Sequence, residues 1–216
     1  MEEYKVGIVI PAFNEELTIA QVVNSVKGYG YAIVVNDAST DRTRKIAEDA
    51  GVRVVSHQDN KGYDGALNSG FKRAKELDCD GIITFDADGQ HDSASIPDFI
   101  IKLEEGFDLV LGVRPKTQRF SEKIFKMYTS KKYKWNDPLC GMKGYNMKLY
   151  RELGFFDSYK SIGTELSLFG LVKNTNFCEV KINMNVRRDK PRFSSLILSN
   201  IIIFRALYLS IKYKKN

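Results

Sequence analysis

Five short apolar runs, each parted from the next by a stretch of helical spacing, constrain this chain more than any other feature. The runs are Val6–Pro11 (VGIVIP), Ala32–Val35 (AIVV), Arg53–Ser56 (RVVS), Gly81–Phe85 (GIITF) and Asp108–Val113 (DLVLGV). Their length and β-branched content suit buried strands. Between them, Leu17, Ile19, Val22, Val23 and Val26 recur at helical spacing. Ser39, Thr40 and Asp41 announce a helix running to about Ala50, and Gly62–Leu77 and Ile96–Glu105 read as two more. Near-continuous apolar strands joined by crossover helices predict an α/β fold with a mainly parallel sheet covered on both faces. At 216 residues and 43% hydrophobic content, the chain has material for one cored domain with an appendage.

Ligands of such sheets bind beyond the carboxyl ends of the strands. Three ends here are polar: the first strand runs into AFNEE, the second into NDASTD, the fourth into DADGQHD. Asn14, Glu15, Asn36, Asp37, Asp86 and Asp88 are thereby expected at one edge. A turn at Asp86, with Gly89 permitting a tight bend, brings Asp86, Asp88, Gln90 and His91 together. Two carboxylates with a further oxygen or imidazole ligand suit Mg²⁺ or Mn²⁺. Taken alone, the same residues also read as a turn with Asp92 capping the next helix.

In order, PAFNEE, VVNDASTD, NKGYDGALNSG and DADGQH resemble the donor half of family 2 inverting glycosyltransferases of the GT-A fold. The likeness is nearest the branch with dolichyl-phosphate mannosyltransferases and bacterial polyprenyl-phosphate glycosyltransferases. It is strong over residues 5–115 and looser to about 190, through DPLCGMKGYN (Asp137–Asn146), which is similar to the segment bordering the acceptor site. The resemblance implies that Pro11, Ala12, Phe13 and Glu15 line the nucleotide and that Asp37 contacts its base or ribose. Asn36 stands where many members have another Asp. Asp86 and Ala87 would lie against nucleoside and sugar, and Asp88, with Gln90 and Asp86, would hold Mn²⁺ or Mg²⁺ on the diphosphate. His91 either orders this loop or touches the ion. Lys61 and Gly62 fit the turn after the third strand, as donor contacts or as a plain loop before a helix.

A hydroxyl acceptor needs a base to take its proton, whereas a phosphate monoester already carries an anionic oxygen at neutral pH. Family members acting on hydroxyls commonly carry an acidic pair at a helix start; this chain has one acid, Glu165 in SIGTELSL. Glu165 is either that base or an ordinary first-turn acid beside Thr164. Cations are plentiful: Arg114 after the fifth strand, then Arg187, Arg188, Lys190 and Arg192. Relatives acting on polyprenyl phosphate hold phosphates with an Arg and a Lys in a comparable late loop. Arg114, Asp137, Arg188, Lys190 and Arg192 are therefore expected on the acceptor side, with Asp88, Arg114 and Glu165 as the catalytic set. Polyprenyl phosphate is the expected acceptor, with a sugar hydroxyl of a glycan or lipid-linked saccharide as the alternative and a non-catalytic nucleotide-sugar-binding homologue as a third reading.

The net charge of +6 permits anionic lipid or phosphorylated partners. Its basic clusters lack the interleaved aromatic and glycine signatures of common nucleic-acid modules, so nucleic acid is not expected. A nucleotidyltransferase would follow its first strand with a Gly-rich basic loop, which PAFNEE is not. Three scattered cysteines, Cys79, Cys140 and Cys178, suit a reducing cytoplasm, and the first residues carry no signal-peptide pattern. Leu196–Ile211 is apolar, interrupted by Asn200 and Arg205, and followed by lysines. It reads as an amphipathic helix in a membrane interface, peripheral on the cytoplasmic face, or as a helix packed on the core or on a second copy in a homo-oligomer. Phe120–Tyr133 reads as a second interfacial element or as core. The expected division is a glycosyltransferase domain over 1–192, split near 115 into donor and acceptor halves, with an interfacial helix over 193–216.

Overall fold

The computed structural model describes residues 4–116, 119–185 and 196–213. Its strands are β1 (Val6–Ala12), β2 (Tyr31–Asn36), β3 (Arg53–Ser56), β4 (Gly81–Thr84), β5 (Leu109–Val113), β6 (Lys143–Asn146) and β7 (Phe177–Lys181). Its helices are α1 (Ile19–Val26), α2 (Thr43–Asp49), α3 (Gly62–Glu76), α4 (Ile96–Glu104), α5 (Phe120–Tyr133), α6 (Met147–Leu153), α7 (Glu165–Val172) and α8 (Leu196–Lys212). The described strands form one sheet in the order β3-β2-β1-β4-β6-β5-β7. β1 lies parallel to β2 and β4, β2 to β3, and β5 to β7; only β6 runs against its neighbours β4 and β5.

Burial explains why the β-branched runs became strands. Every residue of β1 is buried, and β4 is buried throughout, because helices cover both faces of the central strands. One face carries Ile8, Ile10, Val34, Ile83 and Phe85 against α1, α2 and α4. The other carries Val9, Ile33, Val35 and Ile82 against α3 and the aromatic group of Phe71, Tyr145, Tyr150 and Phe156. α1 buries Ile19, Val22, Val23 and Val26 as the spacing predicts, whereas Leu17 falls before the helix and is 82% exposed.

Parallel pairing gathers the strand ends. Ala12 is in register with Asn36, and Val9 with Thr84, so the polar residues after β1, β2 and β4 emerge at one edge. β6 threads between β4 and β5, which delivers the loop before it, Asp137–Met142, to the same edge. The chain from 116 onward thus completes the sheet that the first half begins.

α8 packs one face on the protein, as one reading of the C-terminal segment expects. Ile203, Ala206 and Leu207 pack with Phe125 of α5, and Ser121 Oγ donates to Asn200 Oδ1 at 2.5 Å. Its opposite face leaves Leu198, Ile201, Phe204, Tyr208 and Ile211 exposed. On α5, Phe120 (71% exposed) and Met127 (66%) are exposed as well. Among the described residues, no helix is long and apolar enough to cross a membrane.

Candidate functional site

Asp37, the residue after β2, organises one side of the edge. Its carboxylate accepts hydrogen bonds from the backbone N–H groups of Lys61 (2.9 Å) and Gly62 (2.8 Å), and lies 2.7 Å from His57 Nδ1. His57 Nε2 is in turn 2.8 Å from Ser69 Oγ on α3. Gly62 has φ +76°, a conformation that favours a residue without Cβ. The start of α3 is thereby tied to the end of β2. Asn14 links the neighbouring ends by accepting from Thr40 N (2.9 Å), and Glu15 N donates to Thr43 Oγ1 (2.7 Å). Glu15 and Asn36 are buried behind this edge, and Ala87 is buried behind Asp86 and Asp88.

The turn after β4 holds the two acids. Asp88 Oδ1 accepts from Gln90 N at 3.0 Å, closing the bend, and the carbonyl of Gln90 accepts from Asn185 N at 2.7 Å. His91 is buried, pairs with Met184 in an isolated β-bridge, and stands 3.8 Å from Asp86 Oδ2. Burial pulls its pKa down to about 4, against the charge of Asp88. Its ring also lies within reach of the loop backbone, Asp86 N donating towards His91 Nδ1 at 3.5 Å. Tyr63 reaches Asp86 Oδ1 from α3 at 3.4 Å, and its pKa is raised by burial and by the Asp86 charge. Gly141 faces the same carboxylate: a Cβ there would lie 2.1 Å from Asp86 Oδ2 and 2.7 Å from its Cγ. The backbone before β6 thus comes as close to Asp86 as a glycine allows.

A cavity of about 460 Å³ opens in front of Asp86, Tyr63 and Gly141; Asp88, Gln90 and His91 are not among the residues that line it. Pro11, Ala12, Phe13, Asp37, Asp86 and Tyr63 line its donor end. Arg114, Arg119, Glu122 and Leu139 line the far side, with Ile162 and with Ser199, Ile202 and Ile203 of α8. Arg114 forms a forked pair with buried Asp137, Nε to Oδ2 and Nη2 to Oδ1 both at 2.8 Å, and also reaches Glu122 Oε2 at 3.1 Å. Burial works against charge on Arg114, but the hydrogen bonds and charge of Asp137 outweigh it and keep its pKa above the ordinary value. Arg119 shares Glu122 through Oε1 at 3.1 Å. Asp137 thus acts on the cavity through Arg114.

Glu165 is not brought to this cavity. It lines a second one, of about 580 Å³, with Tyr159, Phe169, Leu209 and Tyr213. Its carboxylate accepts from Ser158 N (2.5 Å) and Ser158 Oγ (2.9 Å), and burial raises its pKa. Lys61 is exposed beside the donor end and contributes its backbone N–H. Arg187, Arg188, Lys190 and Arg192 lie outside the described residues. Sequence reasoning did not single out His57, Tyr63 or Gly141 for the site. Tyr63 and Gly141 sit inside quoted motifs, while His57, one residue beyond β3, carries no signal of its own.

The Asp86 to Gln90 turn presents oxygen donors only, a hard set that fits Mg²⁺ or Mn²⁺. Among the described residues, no group of three or more His, Cys, Asp or Glu side chains that could hold a metal ion is found.

The profile described as glycosyl transferase family 2 matches residues 7–167, which spans both the donor edge and the loop before β6. The chain belongs to glycosyl transferase family 2. This family 2 glycosyltransferase is 34% identical over 143 residues to a UDP-N-acetylglucosamine–dolichyl-phosphate N-acetylglucosaminyltransferase of Methanococcus voltae, covering 55% of each chain. It is also 34% identical over 119 residues to a dolichol-phosphate mannosyltransferase of Pyrococcus furiosus, covering 51% of this chain and 33% of that one. The chain spans about half the length of the first curated relatives it matches. Among solved structures it resembles glucosyl-3-phosphoglycerate synthase of Mycobacterium tuberculosis in complex with Mn²⁺, UDP and phosphoglyceric acid. That likeness has a TM-score of 0.79 at 20% identity, over 99% of this chain and 80% of that one. The fold of this family 2 glycosyltransferase is GT-A, with the mostly parallel sheet that its strand pattern predicts.

Proposed function

We propose that this family 2 glycosyltransferase moves a sugar, with inversion, from a GDP- or UDP-linked donor to polyprenyl phosphate, with Mn²⁺ or Mg²⁺ bound, peripherally on the cytoplasmic face of a membrane. The observation that carries the reading is the continuity of one cavity: Pro11, Asp37 and Asp86 line one end, Arg114 and Arg119 flank it, and α8, whose outer face is apolar and exposed, closes the other. A lipid with an anionic head can enter such a space from the α8 side while a nucleotide occupies the strand ends. The relatives named for dolichyl phosphate support the same acceptor.

In this reading Pro11, Ala12 and Phe13 form the floor under the nucleoside, and Asp37, fixed by His57 and the start of α3, accepts hydrogen bonds from base or ribose. Asp88, with Gln90 and Asp86, would hold the ion, which supplies positive charge to the leaving diphosphate. Tyr63 and Gly141 fix the rotamer of Asp86 beside the sugar. Arg114, oriented by Asp137, and Arg119 attract the acceptor phosphate, together with Arg188, Lys190 and Arg192 from the following segment. The acids lining the cavity are Asp37, Asp86 and Glu122, each held by partners or given to donor or metal, and Glu165 faces elsewhere. A phosphate oxygen, anionic at neutral pH, needs no base.

The lysines Lys123, Lys131, Lys134 and Lys212 are exposed beside the apolar surface of α5 and α8, and the two helices carry one carboxylate, the buried Glu122. Such a surface suits an anionic bilayer. The test is transfer from radiolabelled GDP- and UDP-sugars to polyprenyl phosphate in detergent, with Mn²⁺ or Mg²⁺ and with chelator. Acid-labile labelled lipid that disappears with chelator, and in Asp88→Ala, is expected. Donor binding without lipid product would overturn the acceptor assignment.

A further inference from the structure

The turn Ser161–Gly163 forms part of the far wall of the cavity, and it is built at a cost. Ile162 has φ +53°, in the left-handed region that is strongly disfavoured for a β-branched side chain. The surrounding structure holds it there from both sides of its peptide. Asp64, on the first turn of α3, accepts from Ile162 N at 3.1 Å through Oδ2 and from Gly163 N at 2.6 Å through Oδ1. Lys143, buried on β6, donates from Nζ to the carbonyl of Gly163 at 2.7 Å and to that of Pro138 at 3.1 Å. A buried carboxyl group and a buried lysine thus grip opposite ends of one strained turn. Asp157 anchors its beginning by accepting from Ser161 N and Ser161 Oγ, and Arg205 of α8 donates to the carbonyls of Tyr159 (3.0 Å) and Lys160 (2.8 Å).

What the turn presents is an apolar side chain. Ile162 lines the cavity and packs beside Phe125, Ile203 and Leu207, close to the wall formed by Leu139 and Ile202. The groups that hold it belong to the donor side: Asp64 follows Tyr63, which touches Asp86, and Lys143 pairs in register with Thr84 at the end of β4. A strained residue held by groups of the donor side, with its side chain in the cavity, is placed to contact the second substrate.

We propose that Ile162 is an acceptor-binding residue that packs against the apolar segment next to the acceptor's phosphate, and that Asp64 and Lys143 are the positioning residues that hold it in that contact. This rests on the polyprenyl phosphate reading above. The apolar strip of Ile162, Leu139, Ile202 and Ile203 then receives the first isoprene units, while Arg114 and Arg119 face the phosphate.

Glycine adopts the left-handed conformation freely, so Ile162→Gly removes the side chain and its strain together, the relieved strain offsetting part of the packing lost beside Phe125, Ile203 and Leu207. Steady-state kinetics with polyprenyl phosphate in detergent, read beside thermal melting, give the test. Ile162→Gly should raise the acceptor KM by about ten- to a hundredfold, the range for lost apolar contacts, with the donor KM within about twofold of wild type. Ile162→Val, which keeps the branched wall, should stay near wild type. Asp64→Asn, whose amide cannot accept from both N–H groups, should raise the acceptor KM without moving the donor KM. Wild-type transfer with an unchanged acceptor KM in Ile162→Gly, or equal shifts in donor and acceptor KM, overturns the contact alone. Donor binding by wild type with no lipid product overturns the acceptor reading, and the contact with it.

Discussion

The imidazole of His57 lies 2.7 Å from the carboxylate of Asp37, and both side chains are 4% exposed. Asp37 already accepts from two backbone N–H groups at the head of α3, so His57 completes a set of three partners that fixes the carboxylate beside the cavity. Replacing His57 with Phe keeps a ring of similar size but removes the polar partner. The expected result is a donor KM raised by about tenfold, about 1.4 kcal/mol, near the lower end of the range for a lost hydrogen bond to a charged group. Isothermal titration with UDP and GDP checks it; unchanged affinity for both would mean that Asp37 does not meet the nucleotide.

Gly141→Ala tests the closeness of the β6 loop to Asp86. A methyl group 2.1 Å from Oδ2 must displace that carboxylate, which is the flexible partner, so the fold should survive while the sugar and metal end is disturbed. Transfer is expected to fall by about a hundredfold, within the range for a misplaced catalytic group. A melting temperature within a few degrees of wild type would separate this from unfolding. Full activity would show that the position of Asp86 is not critical.

Glu165→Gln separates the two acceptor chemistries. Glu165 accepts from both donors of Ser158, its backbone N–H and its hydroxyl, and lines the cavity that Asp86 does not. The variant should lose about 1–3 kcal/mol of stability through its disturbed hydrogen bonds, yet retain kcat within a few-fold on polyprenyl phosphate. A loss of a hundredfold or more at unchanged substrate affinity is the result expected of a general base, and it would direct attention to a hydroxyl acceptor.

Placing charge on the outer face of α8 probes the membrane. Ile201 and Phe204 are exposed and point away from the seam with α5, so Ile201→Glu and Phe204→Glu should leave the melting temperature nearly unchanged. Co-sedimentation with anionic phospholipid vesicles should drop sharply, and raised salt should weaken the wild type as well. Equal sedimentation of variant and wild type would refute this surface as the contact.

Burial, and then the charge of Asp157, raises the Asp64 pKa from 3.8 to about 7, despite the two N–H bonds and the nearby Lys143. The folded chain therefore keeps a proton that the unfolded chain has lost between about pH 4 and 7. Stability from this group is fully present below the unfolded pKa and is lost as pH rises through 7. Asp64→Asn should remove that slope, so the stability difference between variant and wild type, read from urea midpoints, should move in favour of the variant from pH 5 to pH 8. A difference that stays constant with pH would place the Asp64 pKa in the ordinary range.

Much of this molecule was legible in the sequence because its signals are local. A β-branched run such as VGIVIP has few ways to bury itself other than as a central strand, and parallel strands carry their polar C-terminal residues to one edge. That logic placed Asp37 and Asp86 at a common edge, and the folded chain lines one cavity with both. Tertiary structure alone decided the rest. Nothing local reveals that β6 turns back between β4 and β5 and sets Gly141 against Asp86, since the signal is the absence of a side chain. Sequence spacing placed Glu165 at a helix start but not on which cavity, because that cavity is assembled from α7 and α8 residues distant in the chain. Ile162 reads as an ordinary apolar residue; its strained backbone, held by Asp64 and Lys143 from positions about 98 and 19 residues away, exists only once long-range packing over-determines the turn.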